Sequence, residues 1–175
     1  MKRTTANSSY CVHAGMLIEN IKIWLVVKPL QFFYGRKRLD DKLDAMRNLP
    51  ENSIGYDLAI MLDLHNLRLI PGFRNHDLNH LVLGYGMEWD DELCMQAYQV
   101  GNGYREWQCF VFLSSAIIVP TLWPMLWAHF QMGRASVSIN ELDFETCMME
   151  QTVVVRERFK QFKTNSLKAG LAYAG

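Results

Sequence analysis

The sequence has no net charge, since its 175 residues include 18 Lys and Arg and 18 Asp and Glu. A nucleic-acid-binding module normally has a clear basic excess, so this balance argues against that class. The chain is half apolar and 12% aromatic, which argues against disorder. A chain of this length can bury a sizeable core without disulfide bonds. We therefore expect one domain over residues 1–175, with flexible tails at 1–12 and 164–175.

The four cysteines include no C-x-x-C pair. Their spacing fits neither a zinc knuckle nor a small disulfide framework, so buried free thiols in a reducing compartment are expected. The N-terminus also lacks the continuous apolar stretch of a secretory signal, because polar residues 4–9 follow Lys2 and Arg3. Together these features predict a cytoplasmic protein. The cysteines are Cys11, Cys94, Cys109 and Cys147.

Charge is missing from residues 107–133. A membrane-spanning helix needs about 20 apolar residues, and Pro120 and Pro124 divide this stretch. Three interpretations remain open: a buried core helix, an apolar wall for a lipid-like ligand or for a membrane surface, and a true span. Trp123 and Trp127 suit an interface or a core equally well.

Apolar residues recur mostly at helical spacing, and no convincing alternating strand is present. The pattern predicts helices at about 16–34, 54–69, 73–83, 90–100, 110–119 and 141–163, with Pro29 kinking or dividing the first. Breaks are expected at 50–53, 71–72 and 84–86, with Asp90 capping the helix that follows. The predicted fold is an all-α, single-domain bundle of about six to seven helices, with a buried or membrane-facing apolar groove.

The residues that point to chemistry are His76-Asp77-Leu78-Asn79-His80, followed after eleven residues by Glu92. Histidines four apart lie on one face of a helix, so their imidazoles can reach one metal ion. A reversal at the glycines of 84–86 could bring Glu92 back beside His80. Asp77 is either a further ligand or a nearby base. The pair could also be structural, and a protease of the H-E-x-x-H type is disfavoured because Asp77 replaces its Glu.

The pattern H-D-x-x-H-x₁₁-E, with its flanking text, resembles the Coq-four family of coenzyme Q (ubiquinone) biosynthesis proteins. The similarity spans about residues 45–160 and is strongest over 76–98. The chain departs from the family at Asp91, where Gly is usual, and at Asn102, where Gln is frequent. The matching positions are His76, Asp77, Leu78, His80, Gly84, Tyr85, Glu92, Leu93, Gln96, Ala97 and Tyr98.

The resemblance implies an all-helical, peripheral membrane protein that acts on polyprenylated ring intermediates of ubiquinone synthesis. It also implies support of oxidative decarboxylation, which would make the chain a lyase-type enzyme, and assembly with other quinone-biosynthesis proteins. The implied cofactor is a divalent metal, zinc first with Mg²⁺ or Fe²⁺ as alternatives. We place the protein on the cytoplasmic face of the membrane, without a nucleic-acid partner, and expect a homodimer. The implied metal ligands are His76, Asp77, His80 and Glu92.

Three further side chains are candidates for substrate binding. Arg74 could pair with a carboxylate or phosphate, or be a solvated residue at a helix start. Tyr85 and Tyr98 could bond a ring oxygen, or pack in the core. Asp77 is the candidate catalytic residue. The other histidines have no matching context and are interpreted as structural: His13, His65 and His129.

An alternative function is a non-catalytic isoprenoid-binding or scaffolding protein, in which the histidine motif is structural. The charge-free stretch and ten methionines favour it, since Met adapts to irregular apolar partners.

Overall fold

The fold is taken from a computed structural model, and the structure describes residues 36–159 together with positions 13, 15, 17, 18, 21 and 29. Residues 36–159 form eight α-helices and four short 3₁₀ helices, and they contain no β-strand. The all-α prediction is confirmed, with more helices than the six or seven expected. The α-helices are α1 (Arg36–Arg47), α2 (Ile54–Leu64), α3 (Arg74–Leu83), α4 (Trp89–Asn102), α5 (Trp107–Ser114), α6 (Trp123–Ala135), α7 (Phe144–Cys147) and α8 (Thr152–Phe159).

The 3₁₀ helices occupy the connections between these elements. They are Pro71–Phe73, Ser115–Ile118, Pro120–Leu122 and Ile139–Glu141. Most of the predicted helix at 16–34 lies outside the described residues, as do the predicted tails at 1–12 and 164–175. The assignment of one domain stays a prediction.

Local capping explains the helix boundaries around the site. The Ser53 hydroxyl accepts a hydrogen bond from the Tyr56 amide at 3.3 Å, which caps α2 as the break at 50–53 predicted. The helix ends at Leu64 and not near residue 69, because Asn66 takes a left-handed backbone with φ 52°. His65, just after the helix, is exposed. Gly84, with φ 76°, ends α3 at the predicted position.

The predicted helix over 141–163 is wrong for the described part of that segment. The Asp143 side chain accepts from the Thr146 amide at 3.2 Å and starts the short helix α7. A single β-bridge then pairs Gln151 with Ser53. The extended backbone of this bridge separates α7 from α8. Apolar spacing alone did not reveal the bridge, because its hydrogen bonds come from a distant loop.

Helices α4 and α6 approach each other closely at two glycines. A Cβ atom at Gly133 would lie 2.0 Å from the Tyr98 carbonyl oxygen, and one at Gly101 would lie 2.0 Å from the Phe130 carbonyl oxygen. Asn102 secures the end of this contact. Its amide nitrogen donates to the carbonyl oxygens of Gly133 at 3.0 Å and of residue 137 at 2.9 Å. Its oxygen accepts from the amide of residue 139 at 2.8 Å. Asn102 therefore has a structural role.

Two large buried apolar clusters form most of the core, and a small third one, Ile70, Phe73 and Phe112, adjoins His76. The first joins α1, α2 and α3 to the C-terminal helices, and the second joins α4 to the charge-free segment. Residues of the first include Met46, Leu58, Leu78, Phe144 and Val155. Residues of the second include Leu93, Val119, Leu122 and Leu126. Tyr98 of α4 belongs to the first cluster, so α4 contributes to both.

The charge-free segment is divided between α5, two 3₁₀ helices and α6. Pro120 begins one 3₁₀ helix, and Pro124 occupies the first turn of α6, where a proline needs no hydrogen-bond donor. Within the described part of the chain, every helix is too short or too polar to cross a membrane.

Candidate metal centre

Helix α3 presents two histidines on one face. His76 and His80 are one turn apart, and their ring centroids lie 4.9 Å from each other. The His80 side chain is fully enclosed, and that of His76 is 15% exposed. The 3₁₀ helix before α3 places Phe73 against the His76 ring, with centroids 5.6 Å apart. This packing limits the orientations open to the imidazole.

Glu92 reaches the histidine pair from the first turn of α4, as the sequence predicted. Its Oε1 lies 2.9 Å from His76 Nε2, and its Oε2 lies 2.9 Å from His80 Nε2. The left-handed Gly84 reverses the chain between the two helices. Asp90 and Asp91 lie in the same first turn, and the helix is preceded by Glu88 as its N-cap, not by Asp90.

The arrangement fits a divalent metal ion. One donor atom from each of His76, His80 and Glu92 can be chosen so that all lie within 4.8 Å of one another. Two imidazole nitrogens and a carboxylate oxygen form a ligand set that zinc accepts, with a further position left for water or substrate. Glu92 is only 2% exposed, so its buried charge needs a positive partner.

Other groups fix the three candidate ligands. Gln96, one turn along α4, donates from Nε2 to Glu92 Oε1 at 2.7 Å. Asp77 Oδ1 lies 3.3 Å from His76 Nδ1, the ring nitrogen that faces away from Glu92. His80 Nδ1 lies 3.4 Å from the Tyr85 carbonyl oxygen. Contacts of this kind set the tautomer and ring orientation of histidines that bind metals.

The electrostatic balance favours a positive charge at this point. Burial lowers the pKa of His76, but the charge of Glu92 and hydrogen bonds to Asp77 and Glu92 outweigh it and raise the pKa to about 10. In the metal-free chain, a proton on His76 therefore balances the buried carboxylate. A divalent ion held by the same atoms would replace that proton.

The predicted substrate residues separate into two groups. Arg74 lines a cavity that His76 also lines, and it pairs with Glu145. Tyr85 and Tyr98 lie away from that cavity, with ring centroids 6.1 Å apart. The Tyr85 hydroxyl lies 2.7 Å from His129 Nδ1, so each of these side chains has a specific partner. Burial raises the pKa values of both tyrosines.

Sequence reasoning missed Gln99, which lines the same cavity as His76. Gln96 was matched only as part of a motif, and its contact with Glu92 was not foreseen. Helical spacing was the available signal, because Glu92, Gln96 and Gln99 follow one another at intervals of four and three residues. Their common face on α4 is the one that meets the α3 histidines.

Comparison with known proteins supports the fold. No protein-family model matches the sequence, and a search of curated proteins finds no match. The chain is similar to the crystal structure of a candidate ubiquinone biosynthesis protein from Nostoc punctiforme, with a TM-score of 0.51 and 18% sequence identity. The similarity covers 84% of this chain and 80% of that one. At this identity the similarity shows a shared fold.

Proposed function

We propose that this chain binds a divalent metal ion through His76, His80 and Glu92 and acts in quinone biosynthesis on a prenylated aromatic ring. The observation that supports it most is the convergence of three donor groups within 4.8 Å, two of them buried and that of His76 partly buried. The fold shared with the Nostoc punctiforme protein supports the pathway. The prenylated ring substrate is proposed because the sequence motif resembles that of the Coq-four family.

Zinc suits this ligand set, and its positive charge would favour a substrate that carries negative charge. Two neutral imidazoles and one carboxylate leave a divalent ion with a single net positive charge. A bound ion of this kind stabilises negative charge that develops on a ring carboxylate and on a neighbouring phenolic oxygen.

The residues around the ligands have positioning roles in this proposal. Asp77 contacts the His76 nitrogen that faces away from Glu92, so we assign it to orienting His76 and not to direct ligation. The Tyr85 carbonyl holds His80 in the same way, and Gln96 holds the Glu92 carboxylate. These contacts preset the geometry before a ligand arrives.

The reaction that fits the site is oxidative decarboxylation of a hydroxybenzoate-type ring. The bond between the ring and its carboxylate carbon breaks, and CO₂ leaves. A two-electron oxygen-atom donor is required as co-reactant, and its oxygen forms the new bond to the ring carbon while the donor is reduced. Association with other quinone-biosynthesis proteins would deliver the substrate and remove the product.

A prenylated substrate resides in a membrane, and the charge-free segment offers a surface for membrane contact. Trp107, Trp123 and Trp127 are 55%, 55% and 60% exposed. Indole rings are favoured at the interface between lipid and water. This surface supports peripheral attachment, and it also supports the second candidate function, isoprenoid binding without catalysis.

The lipid extract of a strain that lacks this protein tests both candidates. We expect a carboxylated prenyl-ring intermediate to accumulate in this strain. Returning the intact gene to the strain should remove the intermediate. A His80→Ala variant should leave the intermediate in place, whereas His65→Ala, which changes an exposed histidine, should clear it. Full clearance by His80→Ala would contradict a metal-dependent reaction and favour the binding function. A strain with no change in its quinone intermediates would contradict both.

A further inference from the structure

A small cavity lies beside the candidate metal centre and has His76 in its wall. Its volume is about 180 Å³. Pockets for drug-sized ligands are larger, at about 300–1,000 Å³, so this cavity suits a single ring and not an elongated molecule. Tyr104 and Phe144 line it and provide aromatic surface.

Gln99 also lines this cavity, and half of its amide group has no partner. The side chain is 1% exposed. Its Oε1 accepts a hydrogen bond from Cys109 Sγ at 3.0 Å. Its Nε2 has no hydrogen-bond partner within the described residues. A buried donor without an acceptor destabilises a folded chain, so Gln99 is a poor choice for packing alone.

The charges around the cavity indicate which kind of acceptor would suit Gln99. Three carboxylates line it, and the single arginine, Arg74, is paired with one of them. An anionic group bound beside these carboxylates would be repelled. An uncharged oxygen would not be. The carboxylates belong to Glu106, Asp143 and Glu145.

We propose that Gln99 is a specificity-determining residue that donates a hydrogen bond from Nε2 to an uncharged oxygen of a ring bound in this cavity. The acceptor class is a phenolic hydroxyl or a quinone-type carbonyl. The orientation of the ring rests on the proposed function, because the metal centre would hold a carboxylate at the His76 end. The hydrogen bond to Gln99 itself needs no metal.

Two small probes that differ by one hydroxyl test the proposal. Binding of 4-methylphenol and of toluene is measured by NMR titration of the metal-free protein. We expect the wild-type chain to prefer 4-methylphenol, and Gln99→Leu to reduce that preference about three- to tenfold, the range for one hydrogen bond. Gln131→Leu makes the same change at an exposed position of α6 and should leave the preference unchanged.

Thermal unfolding of the same variants separates binding from structure. Gln99→Leu removes a buried donor without a partner and, with it, only the weak hydrogen bond from the Cys109 thiol, so its melting temperature should equal or exceed that of the wild type. A fall in melting temperature together with lost binding, or an unchanged preference for 4-methylphenol, would overturn the proposal.

Zinc titration of the same samples distinguishes this inference from the proposed function. Gln99→Leu should keep the zinc affinity of the wild type. Loss of zinc binding on this substitution would contradict a role confined to the ring. If the wild type binds no zinc but discriminates the two probes through Gln99, the metal proposal fails and this inference stands.

Discussion

Glu92 Oε2 lies 2.9 Å from His80 Nε2, and the two side chains are among the most enclosed polar groups of the described structure. A buried carboxylate beside an imidazole is costly unless a proton or a metal ion supplies positive charge. The contact joins a side chain of α3 to one of α4, so the same pair holds the two helices together and supplies two of the candidate metal ligands. It also makes Glu92 the most direct target for mutation.

Replacing Glu92 with Gln should abolish metal binding while it preserves the size of the side chain. An amide oxygen is a much weaker ligand for zinc than a carboxylate, so we expect zinc content to fall from about one ion per chain to nearly none. Elemental analysis after dialysis measures this. Glu88→Gln alters an exposed acid at the start of the same helix and should retain the metal. Equal zinc in both variants would contradict the site.

Asp77→Asn separates an orienting role from direct ligation. The substitution keeps an oxygen near His76 Nδ1 but removes its charge. We expect zinc affinity to fall about 10- to 100-fold, with one ion still bound at saturation. Asp41→Asn, at an exposed position of α1, is the control. Loss of stoichiometric binding at any zinc concentration would instead identify Asp77 as a ligand, as the sequence motif implied.

Metal binding should release a proton from His76. Its pKa is raised to about 10, so the metal-free imidazole is protonated at neutral pH and must become neutral to bind metal. Zinc affinity should therefore rise about tenfold per pH unit between pH 6 and 8. With an ordinary histidine pKa of about 6.5, the rise would level off above about pH 7. Calorimetry in two buffers of different ionisation enthalpy counts the protons, and a result independent of buffer would contradict this prediction.

The cluster of candidate metal ligands was predictable because its signals are local. His76 and His80 are four apart within a helix whose end is fixed by Gly84, and Glu92 follows a short reversal. Each of these features depends on nearby sequence. The cavity was not predictable in the same way, because Gln99 and Phe144 lie 45 positions apart and meet only through tertiary packing.

The errors in the fold have a similar origin. The segment after residue 141 has apolar spacing typical of one helix, yet the bridge between Gln151 and Ser53 interrupts it.

Asn102 differs from the residue frequent in the Coq-four family, and the structure shows it bound to the end of α6. Its backbone partners gave no signal in the sequence.

The close approach of α4 and α6 predicts a strong effect of adding one methyl group. Gly133→Ala would place Cβ 2.0 Å from the Tyr98 carbonyl oxygen, so the helices must separate. Overpacking of this kind typically costs about 1–3 kcal/mol of folding free energy. Gly72→Ala is the control, because no atom lies within 4 Å of its new Cβ. Urea unfolding should show a lower midpoint for Gly133→Ala only; equal midpoints would contradict this packing.

Membrane attachment can be tested at the two exposed indoles of α6. Trp123→Ala combined with Trp127→Ala removes a large part of the exposed apolar surface in the charge-free segment. Because each buried aromatic side chain contributes roughly 1.5–3 kcal/mol, we expect binding to phospholipid vesicles to weaken at least tenfold. A co-sedimentation assay measures this.

The matched control for that assay removes exposed apolar groups elsewhere. Leu64, 75% exposed at the end of α2, and Met149, 65% exposed between α7 and α8, lie outside the charge-free segment. Leu64→Ala with Met149→Ala should leave vesicle binding unchanged. If both double variants weaken binding equally, the attachment is not specific to the tryptophans. If neither does, the charge-free surface does not contact the membrane.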